Sequence, residues 1–367
     1  MMRRRLVPVV VAIAVSIVAA SGALTSGQAP SGVESQDEMV AAVNDFLSLL
    51  SSEQAASGQL PLESEWRTRW HYFPSWVYER HGLGLGELSD TQRAAIHRII
   101  GTALSDPGYL KASGIILLDD LERQFALELI EREGEQPGLG RREAERFGSE
   151  FYFFTVFGTP SADGAWGWRL EGHHLSLNFT SAGGLTVATP QFMGASPARV
   201  VTGPYAGWRL LAAEEDLGRA LIASLDEGQL DAARLSTEAP GDIITGPESE
   251  ERLDAFEGVP ASALNTVQRQ QLRRLIEQYV SNLRDDLAAD ELSMMEEAGF
   301  ESVHFAWAGS TDPGRLLYYR VHGPTLVIEF DNTLDDPNHV HTVLQGRDAL
   351  GVDLLRRHYG ENAHEAD

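Results

Sequence analysis

A fifteen-residue pattern occurs twice in this chain, as WGWRLEGHHLSLNFT at 166–180 and LYYRVHGPTLVIEFD at 317–331, and no other feature constrains the fold as much. Arg169 and Arg320, Gly172 and Gly323, Leu175 and Leu326, and Phe179 and Phe330 all stand 151 residues apart, as do Phe154 and Phe305, and Gly158 and Gly309. Both copies alternate apolar and polar residues around a glycine, the pattern of half-buried strands. A self-similar pair at a fixed spacing points to a duplicated unit.

The surrounding chain has the same order twice. Helical spacing runs through 37–54, through 88–106 with Leu88, Ile96, Ile99, Ile100 and Ala103 on one face behind a Ser89 or Asp90 cap, and through 112–133. Strand-like segments follow at 150–158, 168–180 and 185–190. Helical segments return at 214–235 and 263–283, the latter with Leu264, Leu272, Leu275, Ile276 and Tyr279 in phase, before strands at 302–309, 315–323, 325–332 and 339–345. The helical matches Leu88/Gln92/Arg93 and Leu264/Gln268/Arg269 lie 176 residues apart rather than 151, so the units carry unequal insertions. The expected fold is α+β, with two related helix-plus-antiparallel-strand units at 37–235 and 236–367 packed as one domain with their sheets meeting.

Ahead of these units, Arg3-Arg4-Arg5, the apolar run Leu6–Ala20 and Ser21-Gly22-Ala23 read as a secretory signal peptide over 1–23, followed by a flexible linker over 24–36. The run is short for a membrane span, which needs roughly 20 apolar residues; a membrane enters only if the leader stays uncleaved. The expected location is secreted or periplasmic.

With 367 residues, 43% of them hydrophobic, the chain can bury its core without disulfides. It has no cysteine, so a thiol nucleophile or thiolate ligand is excluded and any metal must be held by His, Asp and Glu. The formal charge is −25, and loss of the three leader arginines leaves −28, which argues against nucleic acid as a partner.

Period-two alternation puts Leu175, Leu177 and Phe179 on one side of their strand with His173, and His174, Ser176, Asn178 and Thr180 on the other. In the second copy Leu326, Ile328 and Phe330 share a side, with Glu329 and Asp331 opposite. His339 and His341 share one side of their own strand, a spacing that lets two imidazoles reach one cation. The candidate metal ligands are therefore His174, Glu329, His339 and His341, for a divalent ion such as zinc, with Asp331 or His322 as base or ligand-orienting group. Arg169 and Arg320 are candidates to fix an anionic group of a substrate. Structural, hydrogen-bonded histidines and buried arginine–carboxylate pairs account for the same residues equally simply, and His173 on the apolar side reads as a core histidine bonded to backbone.

The blocks RWHYFP, VFGTPS, WGWRLEGHHLSLNFT, TPQFMGASPA, HFAWAG, YYRVHGP, VIEFDN, HVHTV and LRRHYG, in this order, resemble family 3500 of the domains of unknown function. The resemblance spans nearly all of the chain after the leader and implies a secreted or cell-envelope bacterial protein; it implies no reaction. In that pattern HVHTV continues into Trp-Arg and Asp-Phe-Gly before the final His-Tyr, whereas Leu344, Gln345 and ALGVD stand here.

No Gly-x-Ser-x-Gly elbow, phosphate loop, nucleotide-binding glycine fingerprint or His-Glu-x-x-His occurs. Two functions remain. One is a metal-dependent hydrolase; the other is a non-catalytic binder that holds a sugar, peptide or other small-molecule ligand between the tryptophans of 66–76 and Trp166, Trp168 and Trp307.

Overall fold

The computed structural model describes residues 32–361 except 136–138, 248, 250–252, 254 and 335–336. The signal peptide and most of the expected linker lie outside the described residues. Helix begins at Gly32, so residues 32–36 of that linker belong to the first helix.

The strands are β1 (Gln59–Leu60), β2 (Leu83–Gly84), β3 (Phe153–Gly158), β4 (Trp166–Gly172), β5 (Leu175–Ala182), β6 (Leu185–Val187), β7 (Gln191–Ala195), β8 (Arg234–Ser236), β9 (Val259–Pro260), β10 (His304–Gly309), β11 (Leu317–His322), β12 (Leu326–Asp331) and β13 (Val340–Gly346). They form one mixed sheet in the order β1-β3-β4-β5-β7-β13-β12-β11-β10-β8, with β2 beside β3, β6 beside β5 and β9 beside β10. The order reads alike from either edge inward. Short parallel strands (β1, β8) sit at both ends, and the antiparallel pair β7·β13 closes the middle. β7 had no strand signal of its own: five residues held between Pro190 and Pro197, with Gly194 inside, carry too little periodicity to read.

Ten helices accompany the sheet: α1 (Gly32–Ser48), α2 (Ser52–Gly58), α3 (Asp90–Ala103), α4 (Asp106–Glu133), α5 (Arg141–Ala144), α6 (Ala212–Ser224), α7 (Glu227–Ala233), α8 (Thr266–Val280), α9 (Asp285–Ala298) and α10 (Val352–Glu361). Four of them start at reciprocal caps, Ser51/Gln54, Ser89/Gln92, Asp226/Gln229 and Asn265/Gln268, which satisfy orphan amides of the first turn. Gln92 Nε2 donates to Gln54 Oε1 at 2.9 Å and Gln268 Nε2 to Gln229 Oε1 at 2.8 Å, so the caps are also linked pairwise. The expected single helix over 214–235 breaks at Leu225, because Asp226 caps a new helix. The boundary at 235/236 falls inside β8, which pairs with β10, while α6 packs on α8; residues 212–236 thus stand with the second half.

The two faces of the sheet differ in what covers them. Leu175, Leu177, Phe179, Met193, Ile328, Phe330 and Leu344 join the main core together with helix residues such as Ile96, Ile99, Leu272 and Leu275. The opposite face carries Arg169, Glu171, Ser176, Asn178, Arg320, Glu329 and His341, all buried. Segments around 66–73 and 242–245 cover it, and the polar side chains of the strands satisfy the backbone groups of those segments.

Candidate metal centre

His173 and His174 form the turn between β4 and β5, and His174 takes φ 62, a left-handed conformation uncommon for a side chain of this size. Both of its backbone groups are clamped: its N–H donates to Tyr72 O at 3.0 Å and its carbonyl accepts from Gly194 N at 2.7 Å. Gly194 is required by a close approach, since a Cβ there would stand 2.9 Å from His174 Cδ2 and 3.0 Å from the Val340 carbonyl. The pairing of Val340 with Ala195 and His341 with Gly194 then lays the start of β13 against the same turn. His174 Nε2 lies 2.7 Å from His339 Nε2, which lies 3.1 Å from His341 Nε2. The three ligand atoms fall within 4.8 Å of one another. Nitrogens sharing a tetrahedral ion with bonds of 2.0–2.1 Å would be about 3.3 Å apart.

The charge state suits a cation. Burial, and then the neighbouring imidazoles His173, His339 and His341, push His174 well below its ordinary value. Burial and then His341 and His173 lower His339 to about 2. Their nitrogens therefore offer lone pairs. His341 Nδ1 lies 2.7 Å from Asp242 Oδ1, which fixes the tautomer and leaves Nε2 directed at the cluster. Burial would raise Asp242, but bonds from His341, Tyr72 and Ile243 hold it below the usual carboxylate range. Tyr72 Oη donates to Asp242 Oδ2 at 2.8 Å and its ring stacks on Phe192 at 3.9 Å.

On the far side of His174, the His173 ring stacks at 3.7 Å. His173 bonds not to backbone but through Nδ1 to Asp119 Oδ1 at 2.7 Å, with Glu122 Oε2 3.8 Å away. Glu122, His173 and His174 form a second group whose ligand atoms lie within 4.8 Å. Asp119, Glu122 and Asp242 had not been singled out in the sequence. A signal existed for the first two, because they continue the buried stripe Ile115–Ala126–Ile130 of α4 at helical spacing; Asp242 sits in a coil segment with no periodicity.

The remaining candidates do not join the cluster. Glu329 accepts from Ile244 N at 2.7 Å, Thr245 N at 2.8 Å, Thr245 Oγ1 and Tyr318 Oη at 2.7 Å, so it fastens the 242–245 segment to the sheet. Asp331 faces His341 across the ladder, but its carboxylate accepts from Thr333 N and Oγ1; burial pushes it up to about 7 against those bonds. His322 pairs with His304 and lies opposite Val327, four residues along β12 from Asp331, or about 13 Å at strand rise. Arg169 donates to Asn178 and to the carbonyls of Trp66, Arg67 and Arg69. Arg320 donates to Glu257 at 2.9 Å. Neither guanidinium faces the histidines as an anion clamp. None of the seven tryptophans is exposed; Trp70, Trp166, Trp168 and Trp307 are buried in packing, while half-buried Trp76 lines a cleft of about 710 Å³ with Arg80, Arg146 and Phe153.

Neutral burial of histidine has a consequence for pH. His71 and His322 are lowered to about 4, chiefly by burial, and His174 and His339 are lower than ordinary too. Each folded value lies below the unfolded one, so this stability is complete above about pH 6.5 and is lost as pH falls. Asp331 and Glu291, raised to about 7 chiefly by burial, act in the opposite sense. With five histidines losing, His97 included, and two carboxyls gaining, the metal-free protein is expected to lose stability as pH falls from roughly 6 to 5. Chemical denaturation in chelator across that range checks this; a flat profile would mean the imidazoles are not buried neutral.

A cleft of about 920 Å³ lies around Arg209 and Arg219, away from the histidines. A cleft of about 550 Å³ reaches His339 and Glu122 between α4 and the segment after Pro197. Fold and cluster together define a mixed α/β protein with a three-histidine group able to hold a metal ion. The chain belongs to the family described as Protein of unknown function (DUF3500), which matches residues 33–349. No curated protein and no solved structure matches it.

Proposed function

We propose that His174, His339 and His341 bind one divalent ion, zinc by donor preference, and that the protein is a metal-dependent hydrolase of the cell envelope or the extracellular medium. The observation that carries this is the convergence of three Nε2 atoms, with His341 oriented from behind by Asp242. Three nitrogen donors, of which His339 lines the cleft, would leave a coordination position for water. A divalent ion held there would supply a Lewis acid that activates water near neutral pH. Around it the chain holds the ligands: Asp242 and Tyr72 orient His341, and the Tyr72 carbonyl and Gly194 amide fix the His174 turn. Export rests on the amino-terminal leader alone, and no described helix is long and apolar enough to cross a membrane.

We also infer that the two halves descend from one duplicated unit, which the mirrored strand order, the linked Gln54/Gln92 and Gln229/Gln268 caps, and the Leu104–Leu283 bridge between the halves support.

Metal analysis of tag-free protein, combined with ester, amide and phosphoester hydrolysis before and after chelation, tests the functional reading. Less than about a tenth of an equivalent of any transition metal after loading would end it. Asp242→Asn is expected to weaken metal binding about 10- to 100-fold with little change in melting, measured by competition with a chromogenic chelator.

A further inference from the structure

Resting on that reading, we propose that the substrate is a neutral acyl compound, an amide or ester, whose apolar group docks in the cleft leading to His339, and that Glu122 excludes anionic substrates. The cleft is walled by Phe125, Leu129, Phe147, Pro197 and Val201. Its volume, about 550 Å³, falls in the range that encloses a small organic ligand. Two lining residues also approach His174: His339, by its Nε2, and Glu122, in the group with His173. A substrate whose reacting carbon sits beside His339 therefore has hydrophobic walls on one side and a carboxylate close by.

Charge at the reacting end is one-sided. Asp119, Glu122, Asp242 and Asp331 surround the histidines. Arg132, the cation lining the cleft, pairs with Glu133 with 70% of its side chain exposed. Arg80 donates to the carbonyls of His71, Phe73 and Gly172, and Arg169 and Arg320 are bonded elsewhere. A phosphate or carboxylate at the reacting end would meet like charge, and the one guanidinium lining the cleft, Arg132, is already paired with Glu133. An amide or ester N–H or carbonyl meets no such repulsion. In its hydrolysis the water oxygen bonds to the acyl carbon as the C–N or C–O bond breaks, and the water's proton passes to the leaving nitrogen or oxygen.

Hydroxamates test this without turnover, since their two oxygens chelate zinc identically while the tail varies. Calorimetry on zinc-loaded, tag-free protein is expected to show benzohydroxamate binding roughly 10- to 100-fold more tightly than acetohydroxamate through burial of its ring. Succinate monohydroxamate, with a carboxylate tail, is expected to bind more weakly than acetohydroxamate. Leu129→Trp, at a half-buried helix position, fills the cleft and should bring the benzo/aceto ratio to about one; Val201→Trp, at an exposed rim position, serves if the first variant misfolds. Glu122→Gln should recover binding of the succinate-tailed probe at least about fivefold. Equal binding of benzo- and acetohydroxamate, an unchanged ratio in both tryptophan variants, or preference for the anionic tail would overturn the proposal while the metal site stands. Zinc uptake with no hydroxamate binding would do the same. Failure to take up zinc would remove the metal reading, and the substrate class with it.

Discussion

Alanine at His174, His339 or His341 is expected to leave the purified protein with less than about a tenth of an equivalent of metal, against about one in the parent. Structural zinc sites contribute on the order of 10–16 kcal/mol, so one ligand of three accounts for several kcal/mol, or about 10³-fold in affinity. The same substitutions should leave the metal-free fold largely intact, and those at His174 and His339 firmer towards acid, because each of these two removes an imidazole that the folded state keeps neutral at a cost below about pH 6.5. For His174 a second effect follows from the backbone: alanine tolerates φ 62 no better than histidine, so His174→Gly separates loss of the ligand from strain in the turn. Elemental analysis and thermal melting of the four variants give the answer. Full metal retention in any alanine variant would remove that histidine from the ligand set.

Glu329→Ala is expected to destabilise the protein by about 3–5 kcal/mol, because two backbone amides and two hydroxyls lose their shared buried acceptor at once. For a chain of this size that corresponds to a fall in Tm on the order of 10 °C. Glu329→Gln keeps one acceptor oxygen and should lose less stability while still binding about one equivalent of metal, since the histidine nitrogens are untouched. The contrast matters because Glu329 is the one carboxylate among the four ligands that the sequence nominates. If Glu329→Gln melts like the parent but loses its metal, Glu329 coordinates the ion and the fastening role assigned to it is wrong.

The candidates that joined the cluster and those that did not differ in one physical respect. His339 and His341 lie two residues apart on one strand, so their common side follows from the pleat, and a local rule sufficed. Glu329 was placed on the polar side, and Arg169, Arg320 and Glu329 are all buried there, but polar side is not the same as active site. In this fold the second face of the sheet is covered by coil, whose amides and carbonyls need partners once water is excluded. Arginine and glutamate answer that need at Trp66–Arg69 and at Ile244–Thr245. A buried guanidinium that caps carbonyls and one that clamps a substrate look identical in a sequence. The tryptophans misled for a similar reason: a cluster of aromatics marks packing volume as readily as a groove.

Taken by itself, the sequence settled most of the strand and helix types, the Ser89 cap, the apolar side that meets the helices and the absence of thiol chemistry, all of which depend on period, side-chain shape and neighbours within about four residues. Tertiary structure alone decided that His174 meets His339 across 165 positions, that Asp242 stands behind His341 and that Glu122 closes on His173. Those contacts depend on the central β7·β13 pairing and on coil segments laid over the sheet, where the partner of a buried polar group is chosen by three-dimensional proximity and the need to satisfy every hydrogen bond, which no local pattern encodes.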